Sequence, residues 1–168
     1  MGDIDVRPAR DADCEAMRAL VNAEIRTGVA VWHETERTPA EMRDWVDRRR
    51  APGRAVIVAE RAGQVVGYGG YGPFRPHSGY ALTAEHSLYV DADHRGHGIG
   101  GMLLGDLVRR AGAQDLHALI GGIEARNTAS IALHRRHGFE ETGRLPEVGR
   151  KFGHWLTLVF MQRTLTRP

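Results

Sequence analysis

The feature that most constrains the fold of this chain is a cluster of glycines between two apolar runs. The segment reads VDADHRGHGIGG from Val90 to Gly101, with four glycines in its last six positions. Apolar residues before it predict a strand, and those from Ile99 onward recur at helical spacing. Glycine lets backbone N–H groups approach a ligand closely, and a helix N-terminus adds a positive dipole. With the cation of Arg95 beside it, this strand–turn–helix unit is suited to binding a pyrophosphate.

Two known phosphate-binding motifs have to be compared with this turn. The GK[ST] ending of a P-loop is absent. Gly96, Gly98 and Gly101 do satisfy G-x-G-x-x-G, and Glu124 ends the next predicted strand, as in a dinucleotide-binding fold. However, five residues separate Val90 from Gly96, only 44 of the 168 residues follow Glu124, and an antiparallel hairpin precedes the motif. A dinucleotide fold is therefore disfavoured but open, as is the simpler interpretation that the glycines only form a tight turn.

The rest of the chain alternates between helical and extended patterns. A first helix is predicted around Met17 to Ile25, and Thr38 to Glu41 has capping-box spacing that starts a second, which Pro52-Gly53 ends. The later predictions are a hairpin of strands Ala55–Glu60 and Val65–Tyr71, a loop 72–80, strand Leu82–Val90, helix Ile99–Ala111, strand Leu116–Ile123, helix Thr128–His137 stopped by Gly138, and two strands between Glu141 and Leu165. This order predicts an α/β (α+β) fold with a mixed, mostly antiparallel central sheet flanked by helices, in a single domain over residues 1–168.

Charge and composition narrow the class of function. The 23 Lys and Arg nearly balance the 21 Asp and Glu, so the formal net charge is only +2. The run Arg48-Arg49-Arg50 is interpreted as a solvated helix end, where cations suit the macrodipole, and no basic stripe predicts a nucleic-acid partner. No stretch approaches the roughly 18 apolar residues of a membrane span, and the N-terminus lacks an apolar signal region. Cys14, alone in the sequence, permits no internal disulfide, so we expect a cytoplasmic protein.

The run from Arg95 to Gly100 matches the R-x-x-G-x-G acetyl-CoA motif, and here the chain resembles the GNAT superfamily of N-acetyltransferases. Downstream, Asn127 with Ala129, followed by Gly138-Phe139, is similar to the N-x-A … G-F segment of that superfamily. The runs EHSLYV from Glu85 and GRKFGHW from Gly149 resemble its phosphinothricin and methionine sulfoximine/sulfone N-acetyltransferases. The resemblance runs over nearly the whole chain and implies the GNAT acyl-CoA N-acyltransferase fold. It also implies transfer from acetyl-CoA to the α-amino group of a small, amino-acid-like substrate.

The resemblance assigns the acetyl-CoA site to three segments. A strand lends backbone groups to the pantetheine arm, the glycine turn binds the pyrophosphate, and an asparagine contacts the arm where two parallel strands splay apart. These residues are Leu88, Tyr89, Val90, Arg95, Gly96, His97, Gly98, Ile99, Gly100, Gly101 and Asn127. Since asparagine is also a favoured helix N-cap, both roles of Asn127 stay open.

Acetyl transfer needs a neutral amine, yet a free α-amino group with a pKa near ~8 is mostly protonated at pH 7. Glu85 is the candidate general base, because its apolar neighbours along the strand predict burial and the resemblance places a catalytic glutamate there. A structural ion pair is the alternative. His134 stands where many members of the superfamily carry a tyrosine, and it is interpreted as a general acid or relay for the leaving thiolate. The alternative for His134 is a histidine on the helix surface.

By resemblance, six residues line the substrate pocket: Arg75, Pro76, His77, Glu85, His86 and Ser87. The guanidinium of Arg75 could pair with a substrate carboxylate in a bidentate manner, and Lys151 and Trp155 are weaker candidates. His94 and His97 lie three residues apart without a cysteine or carboxylate set of recognised spacing, so no metal site is predicted.

Two other functions remain open at this point. One is an acetyltransferase that acts on a protein N-terminus or lysine, and the other is a non-catalytic acyl-CoA-binding module. The resemblance also implies a homodimer as the assembly.

Overall fold

A glycine-rich hairpin forms the second and third strands of the sheet in spatial order. The computed structural model describes residues 3–165. Strands β2 (Ala55–Arg61) and β3 (Gln64–Pro73) pair antiparallel around a two-residue turn, Ala62-Gly63, in which both residues have positive φ. Such a turn matches the twist of the strands that it joins, and glycine adopts this conformation without strain. The predicted hairpin is confirmed.

Within residues 3–165 the chain forms seven strands and four α-helices. The other strands are β1 (Ile4–Pro8), β4 (Thr83–Val90), β5 (Ala118–Glu124), β6 (Glu140–Lys151) and β7 (His154–Thr164), and the helices are α1 (Cys14–Thr27), α2 (Pro39–Arg48), α3 (Ile99–Ala113) and α4 (Thr128–Arg136). The strand order is β1-β2-β3-β4-β5-β7-β6, in which only the β4–β5 pair is parallel among the described strands. The sheet is therefore mixed and mostly antiparallel, as predicted.

Helices cover both faces of this sheet, and glycines of β3 let them approach. On one face α3 packs Leu103 and Leu107 into the larger core, where a Cβ added to Gly69 would lie 3.0 Å from the Leu107 side chain. On the other face α1 and α2 enclose a second core. There a Cβ added to Gly70 would lie 3.0 Å from the ring of Trp45. No helix within residues 3–165 is long and apolar enough to cross a membrane.

Three details differ from the sequence predictions. The edge strand β1 was not predicted, because it is short and its apolar residues alternate with charged ones. Helix α2 ends at Arg48 rather than at Pro52, since no apolar residue after Val46 remains to be buried on it. Leu82 lies outside β4 and is 57% exposed, and Trp155, named above as a weaker substrate candidate, is 58% exposed.

Candidate active site

A groove opens where the two parallel strands part. Strands β4 and β5 pair from Thr83, opposite Ala118, to His86, opposite Gly121, and beyond that point they are no longer paired. The groove between them is lined by Ala30, His86, Ser87, Leu88, Tyr89, Gly121, Gly122, Ile123, Glu124, Asn127, Ser130 and His134. Three residues predicted to hold the cofactor arm, Leu88, Tyr89 and Asn127, are thus brought together. The Asn127 side chain also accepts a hydrogen bond from the Ser130 N–H at 3.1 Å, so the N-cap role is confirmed.

The glycine turn leads into α3 beside this groove. Gly96 and Gly98 have φ of 79° and 81°, a region that L side chains rarely adopt, and Gly98 is the N-cap of α3. Gly100 and Gly101 are needed for packing instead. A Cβ on Gly100 would lie 3.2 Å from Leu133 of α4, and a Cβ on Gly101 would lie 3.5 Å from His137, which follows that helix. The first N–H groups of α3 have no intrahelical partner, and they point outward with the positive end of the helix dipole. The turn therefore fits an anionic pyrophosphate.

Arg95 lies at the margin of this turn. Its side chain is largely exposed, and it pairs with Glu24 of α1 at 3.3 Å and donates to the Val90 carbonyl at 3.2 Å. The His97 ring contacts the Arg95 carbonyl oxygen at 2.9 Å. Both side chains thus hold the turn in place, and their contact with a cofactor stays a prediction.

Alternation along β4 sends Glu85, Ser87 and Tyr89 to the face covered by α1 and α2. Their register partners on β3 are Gly72, Gly70 and Tyr68. A cavity of about 510 Å³ lies over this face, a volume in the range of small-molecule sites, and Glu85 and Ser87 line it. A Cβ added to Gly122 of β5 would lie 3.5 Å from Oε1 of Glu85. The carboxylate therefore sits where the cavity meets the groove between the splayed strands.

The environment of Glu85 favours the protonated form more than water does. Burial raises its pKa, and the charges of Arg75 and Arg49 oppose that rise only in part. Among residues 3–165 Glu85 forms no ion pair, so the structural alternative is not supported. The apolar neighbours that predicted its burial, such as Ala84 and Leu88, lie on the opposite face of β4. The enclosure of Glu85 comes instead from α2 and the 28–37 segment, which line the same cavity.

His86 and His134 form a buried pair beneath the groove. Their Nε2 atoms are 2.9 Å apart, the rings stack, and the residues are 5% and 3% exposed. Nδ1 of His134 lies 2.7 Å from the Ser130 carbonyl oxygen and donates to it, so its Nε2 accepts the proton of His86. Burial lowers the pKa of both imidazoles, which are neutral near pH 7. His134 is thus not a surface histidine, and the His86 side chain faces away from the cavity that Glu85 lines.

The loop that holds Arg75 belongs to a neighbouring cavity. Arg75, Pro76 and His77 line that second space with Phe74 and Tyr80. The Arg75 guanidinium lies 4.1 Å from the Phe74 ring centroid and donates to the Phe74 carbonyl at 3.0 Å. Of the six predicted substrate residues, Glu85 and Ser87 line the main cavity with their side chains facing it; His86 borders the cavity while its ring packs on the opposite face of β4, and the other three lie beside the cavity.

The sequence did not predict that two arginines line the main cavity, or that Lys151 holds the 28–37 segment in place. Arg37 and Arg49 line the main cavity together with Trp45. The arginine run of α2 was interpreted as solvated, whereas the Arg49 side chain points towards the cavity. Gly70 and Gly72 of β3 leave the space that the Arg49 side chain occupies, and these two glycines are the sequence signal that could have predicted its position. Lys151 is 1% exposed and donates to the carbonyls of Gly28 and Val31 at 2.7 and 2.6 Å, so it holds the 28–37 segment rather than a substrate.

Comparison with known proteins gives consistent matches over this architecture. The model of the acetyltransferase (GNAT) family matches residues 16–139. An L-methionine sulfoximine/L-methionine sulfone acetyltransferase of Pseudomonas aeruginosa is 46% identical over 95% of this chain and 94% of its own length. A phosphinothricin N-acetyltransferase of Alcaligenes faecalis is 38% identical over 95% of this chain and 82% of its own.

Solved structures agree with these relatives. A putative acetyltransferase from Salmonella typhimurium, solved with its cofactor acetyl-CoA, has a TM-score of 0.96 and 37% identity over 99% of this chain and 96% of its own. A ribosomal-protein-alanine N-acetyltransferase from Brucella melitensis has a TM-score of 0.93 and 48% identity over 96% and 99% of the two chains.

The parted parallel strands, the glycine turn and these matches define an enzyme of the acetyltransferase class. The chain belongs to the acetyltransferase (GNAT) family, and its fold is the GNAT fold. Acetyltransferases of this fold use acetyl-CoA, as the Salmonella structure illustrates. Residues 3–165 contain no group of three or more side chains that could hold a metal ion.

Proposed function

We propose that this protein transfers the acetyl group of acetyl-CoA to the α-amino group of a small amino-acid-like acceptor. The acceptor class is that of methionine sulfoximine, methionine sulfone or phosphinothricin, on which the relatives named above act. The observation that carries the proposal is the position of Glu85, a carboxylate that forms no ion pair within residues 3–165 and lies at the junction of a groove and a cavity of about 510 Å³.

Acetyl-CoA supplies the acetyl group as a thioester. In the proposed site the groove residues Leu88, Tyr89, Val90 and Asn127 hold its arm. The turn formed by Arg95, Gly96, His97, Gly98, Ile99, Gly100 and Gly101 binds its pyrophosphate through free N–H groups. The open groove and the outward N–H groups of α3 support this assignment.

Glu85 acts as the general base in this proposal. It takes a proton from the acceptor's ammonium group, directly or through one water, so that the nitrogen lone pair can attack the thioester carbonyl. The new bond is C–N and the bond that breaks is C–S; the attacking nitrogen gives up its second proton as the amide forms, and the departing sulfur takes up one proton. A raised pKa suits Glu85 to this task, because a carboxylate closer in pKa to the amine accepts its proton more readily.

His134 is proposed as the relay on the side of the departing sulfur. Both of its ring nitrogens already have partners, Ser130 and His86, and burial keeps the ring neutral. These contacts favour a relay, in which a proton that leaves one ring is replaced along the Nε2–Nε2 hydrogen bond. They do not favour an acid that acts alone.

A protein N-terminus is the second candidate acceptor, because the Brucella structure carries the name of a ribosomal-protein-alanine N-acetyltransferase. The cavity favours a small acceptor, since α2 and the 28–37 segment enclose it. A peptide would need a cleft that continues past these elements.

A thiol-release assay with acetyl-CoA tests the proposed function. The acceptors are methionine sulfone, methionine sulfoximine, phosphinothricin, alanine, a polyamine and an alanine-initiated peptide. CoA release is expected with the first three and should fall by about 10²- to 10⁴-fold in Glu85→Gln, while Glu140→Gln, an exposed surface change, serves as the matched control. Release with the peptide alone would transfer the proposal to a protein acceptor. Acetyl-CoA binding without release would contradict catalysis.

We also propose a homodimer that works in the cytoplasm. Four of the large exposed apolar side chains lie on the β6–β7 hairpin, where a second copy could cover them: Leu145, Val148, Phe152 and Trp155. The free thiol of Cys14 suits a reducing compartment.

A further inference from the structure

The arginine run at the end of α2 contains two exposed side chains that pair with carboxylates and one half-buried side chain, and Arg48, one of the exposed two, also borders the cavity. Arg48 pairs with Asp44, and Arg50 pairs with Asp11 at 2.6 Å and with Asp47 at 3.1 Å. Arg49 instead lies flat on Trp45, with its guanidinium carbon 3.8 Å from the ring centroid. Its Nη1 donates to the Trp45 carbonyl at 3.3 Å, and its Nε is buried without a hydrogen-bond partner.

Arg37 approaches the same ring from the 28–37 segment. Its backbone is fixed by Asn22 of α1, which accepts from the Arg37 N–H at 2.8 Å and donates to the Arg37 carbonyl at 3.0 Å. The guanidinium carbon lies 5.7 Å from the Trp45 centroid, and Nη1 is buried without a partner. Two guanidinium groups therefore lie within 6 Å of one indole ring at the wall of the cavity.

These two cations lack a counter-ion of their own. Neither Arg37 nor Arg49 forms an ion pair with a carboxylate in the part of the chain that the structure describes. Burial and the nearby charge of Arg37 lower the pKa of Arg49 to about 10. Buried cations with unpaired N–H groups cost free energy, and an anion supplied by a ligand would remove that cost.

The position of Arg49 relative to Glu85 indicates which kind of anion binds to these two arginines. A Cβ added to Gly72 would lie 3.9 Å from the guanidinium carbon of Arg49, and Gly72 is the register partner of Glu85. Paired residues of adjacent strands face the same side, and adjacent strands lie about 5 Å apart. Arg49 and Glu85 are therefore neighbours across one strand spacing in the same cavity. An α-amino acid carries its amino group and its carboxylate two covalent bonds apart, so its head group matches this spacing.

We propose that Arg37 and Arg49, which both lie against the Trp45 ring, bind the α-carboxylate of the acceptor while Glu85 receives the proton of its α-amino group. The inference rests on the proposed function and assigns the recognition of the carboxylate to α2 and the 28–37 segment. Arg75, in the neighbouring cavity, is then not the residue that reads this carboxylate. The acceptor must be a free α-amino acid, because an amine without a carboxylate leaves both guanidinium groups unpaired.

A pair of acceptors that differ only in the carboxylate tests the assignment. Methionine sulfone carries it, and 3-(methylsulfonyl)propylamine is the same molecule without it. In Arg49→Met and Arg37→Met, kcat/KM for methionine sulfone is expected to fall about 10- to 100-fold, the value of a charge-assisted hydrogen bond. The rate with the decarboxylated amine should stay within about twofold. Arg50→Met, a change of the exposed arginine next to Arg49, is the matched control.

Two outcomes would overturn the assignment. One is that Arg49→Met and Arg49→Lys each lower kcat/KM equally for both acceptors, while the thermal unfolding midpoint of each variant stays at the wild-type value. The other is a loss selective for the carboxylate in Arg75→Met but not in the Arg37 and Arg49 variants.

A binding measurement separates this inference from the reaction itself. Methionine sulfone should change the tryptophan fluorescence of the wild-type protein, because both guanidinium groups lie against the ring of Trp45, and the response should vanish in Arg49→Met. That result in a protein that releases no CoA would support the carboxylate site and contradict the proposed reaction. Absence of any binding to the wild type would overturn the carboxylate site.

Discussion

At the scale of single residues, successive side chains of β4 point to opposite faces of the sheet, so the proposed base and the buried histidine of this strand lie on different faces. Glu85 and Ser87 face the cavity, whereas His86, between them, is buried on the opposite face against His134. A shift of the strand register by one residue would exchange these two sets of side chains. The glycines at the parting point of β5 divide in the same way, since Gly121 touches the histidine pair and Gly122 touches Glu85.

The raised pKa of Glu85 gives a testable pH dependence. A base must be deprotonated, so kcat should fall as the pH drops through the pKa of Glu85, which burial places above its ordinary value of 4.5. In Glu85→Gln this acidic limb should vanish from the kcat profile. Because burial disfavours the charged form, the variant should also unfold at a higher temperature than wild type at pH 7. An acidic limb that persists unchanged in the variant would mean that another group is the base.

Adjacent glycines offer a matched pair of substitutions. In Gly121→Ala the new Cβ would lie 2.8 Å from Cε1 of His86 and 3.1 Å from Nε2 of His134, so the histidine pair must separate. We expect a loss of about 1–3 kcal/mol in unfolding free energy, as for overpacked cores, with a fall in kcat.

Gly122→Ala is the control for that substitution. Its Cβ would meet Glu85 at 3.5 Å, an ordinary contact, and the end of the flexible Leu158 side chain at 3.2 Å. Stability should change little while KM for the acceptor rises. Equal urea midpoints for the two variants would show that the histidine pair is not tightly packed.

At the scale of elements, the 28–37 segment depends on the distant β6–β7 hairpin. Lys151 reaches across from β6 and donates to the carbonyls of Gly28 and Val31, and a Cβ on Gly149 would overlap the ring of Trp32. The same segment supplies Ala30 and Arg37 to the cavity. The hairpin therefore positions residues of the proposed acceptor site without lining that cavity.

Removing this anchor should affect stability and acceptor binding together. Lys151→Met keeps the apolar stem but leaves two carbonyls unpaired, so we expect a loss of about 1–3 kcal/mol. KM for the acceptor should rise more than kcat falls, because the segment positions a binding residue. Urea denaturation and steady-state kinetics measure the two effects, with the exposed Arg150→Met as the control. Reduced stability with an unchanged KM would show that the segment keeps its place without Lys151.

The same elements show what the sequence could predict and what it could not. Local rules, such as the capping box at Thr38 and the helix stop at Gly138, act over a few residues, and the structure confirms them. The contact of Lys151 with Val31 spans 120 residues, and the inward turn of Arg49 depends on glycines of another strand. Periodicity carries no information on such pairings, which tertiary packing decides.

At the scale of the whole molecule, the strand order leaves β6 as an edge of the sheet. Most residues of β6 are exposed, including Leu145 and Val148, and the hairpin continues into Phe152 and Trp155, which are 50% and 58% exposed. A long edge strand with exposed apolar side chains invites pairing with another chain. Because Lys151 of the same hairpin anchors the 28–37 segment, a second copy seated there would steady the proposed acceptor site of each protomer.

The homodimer that we propose can be measured directly. Light scattering after size exclusion should give about twice the 18.6 kDa chain mass. Val148→Lys combined with Trp155→Lys should shift the mass towards the monomer, since charges on the apolar surface oppose its burial. If the hairpin steadies the 28–37 segment through the contact, the monomeric variant should also have a raised KM for the acceptor. A wild-type protein that stays monomeric at high concentration would contradict the dimer, and a dimer that survives both substitutions would place the interface elsewhere on the surface.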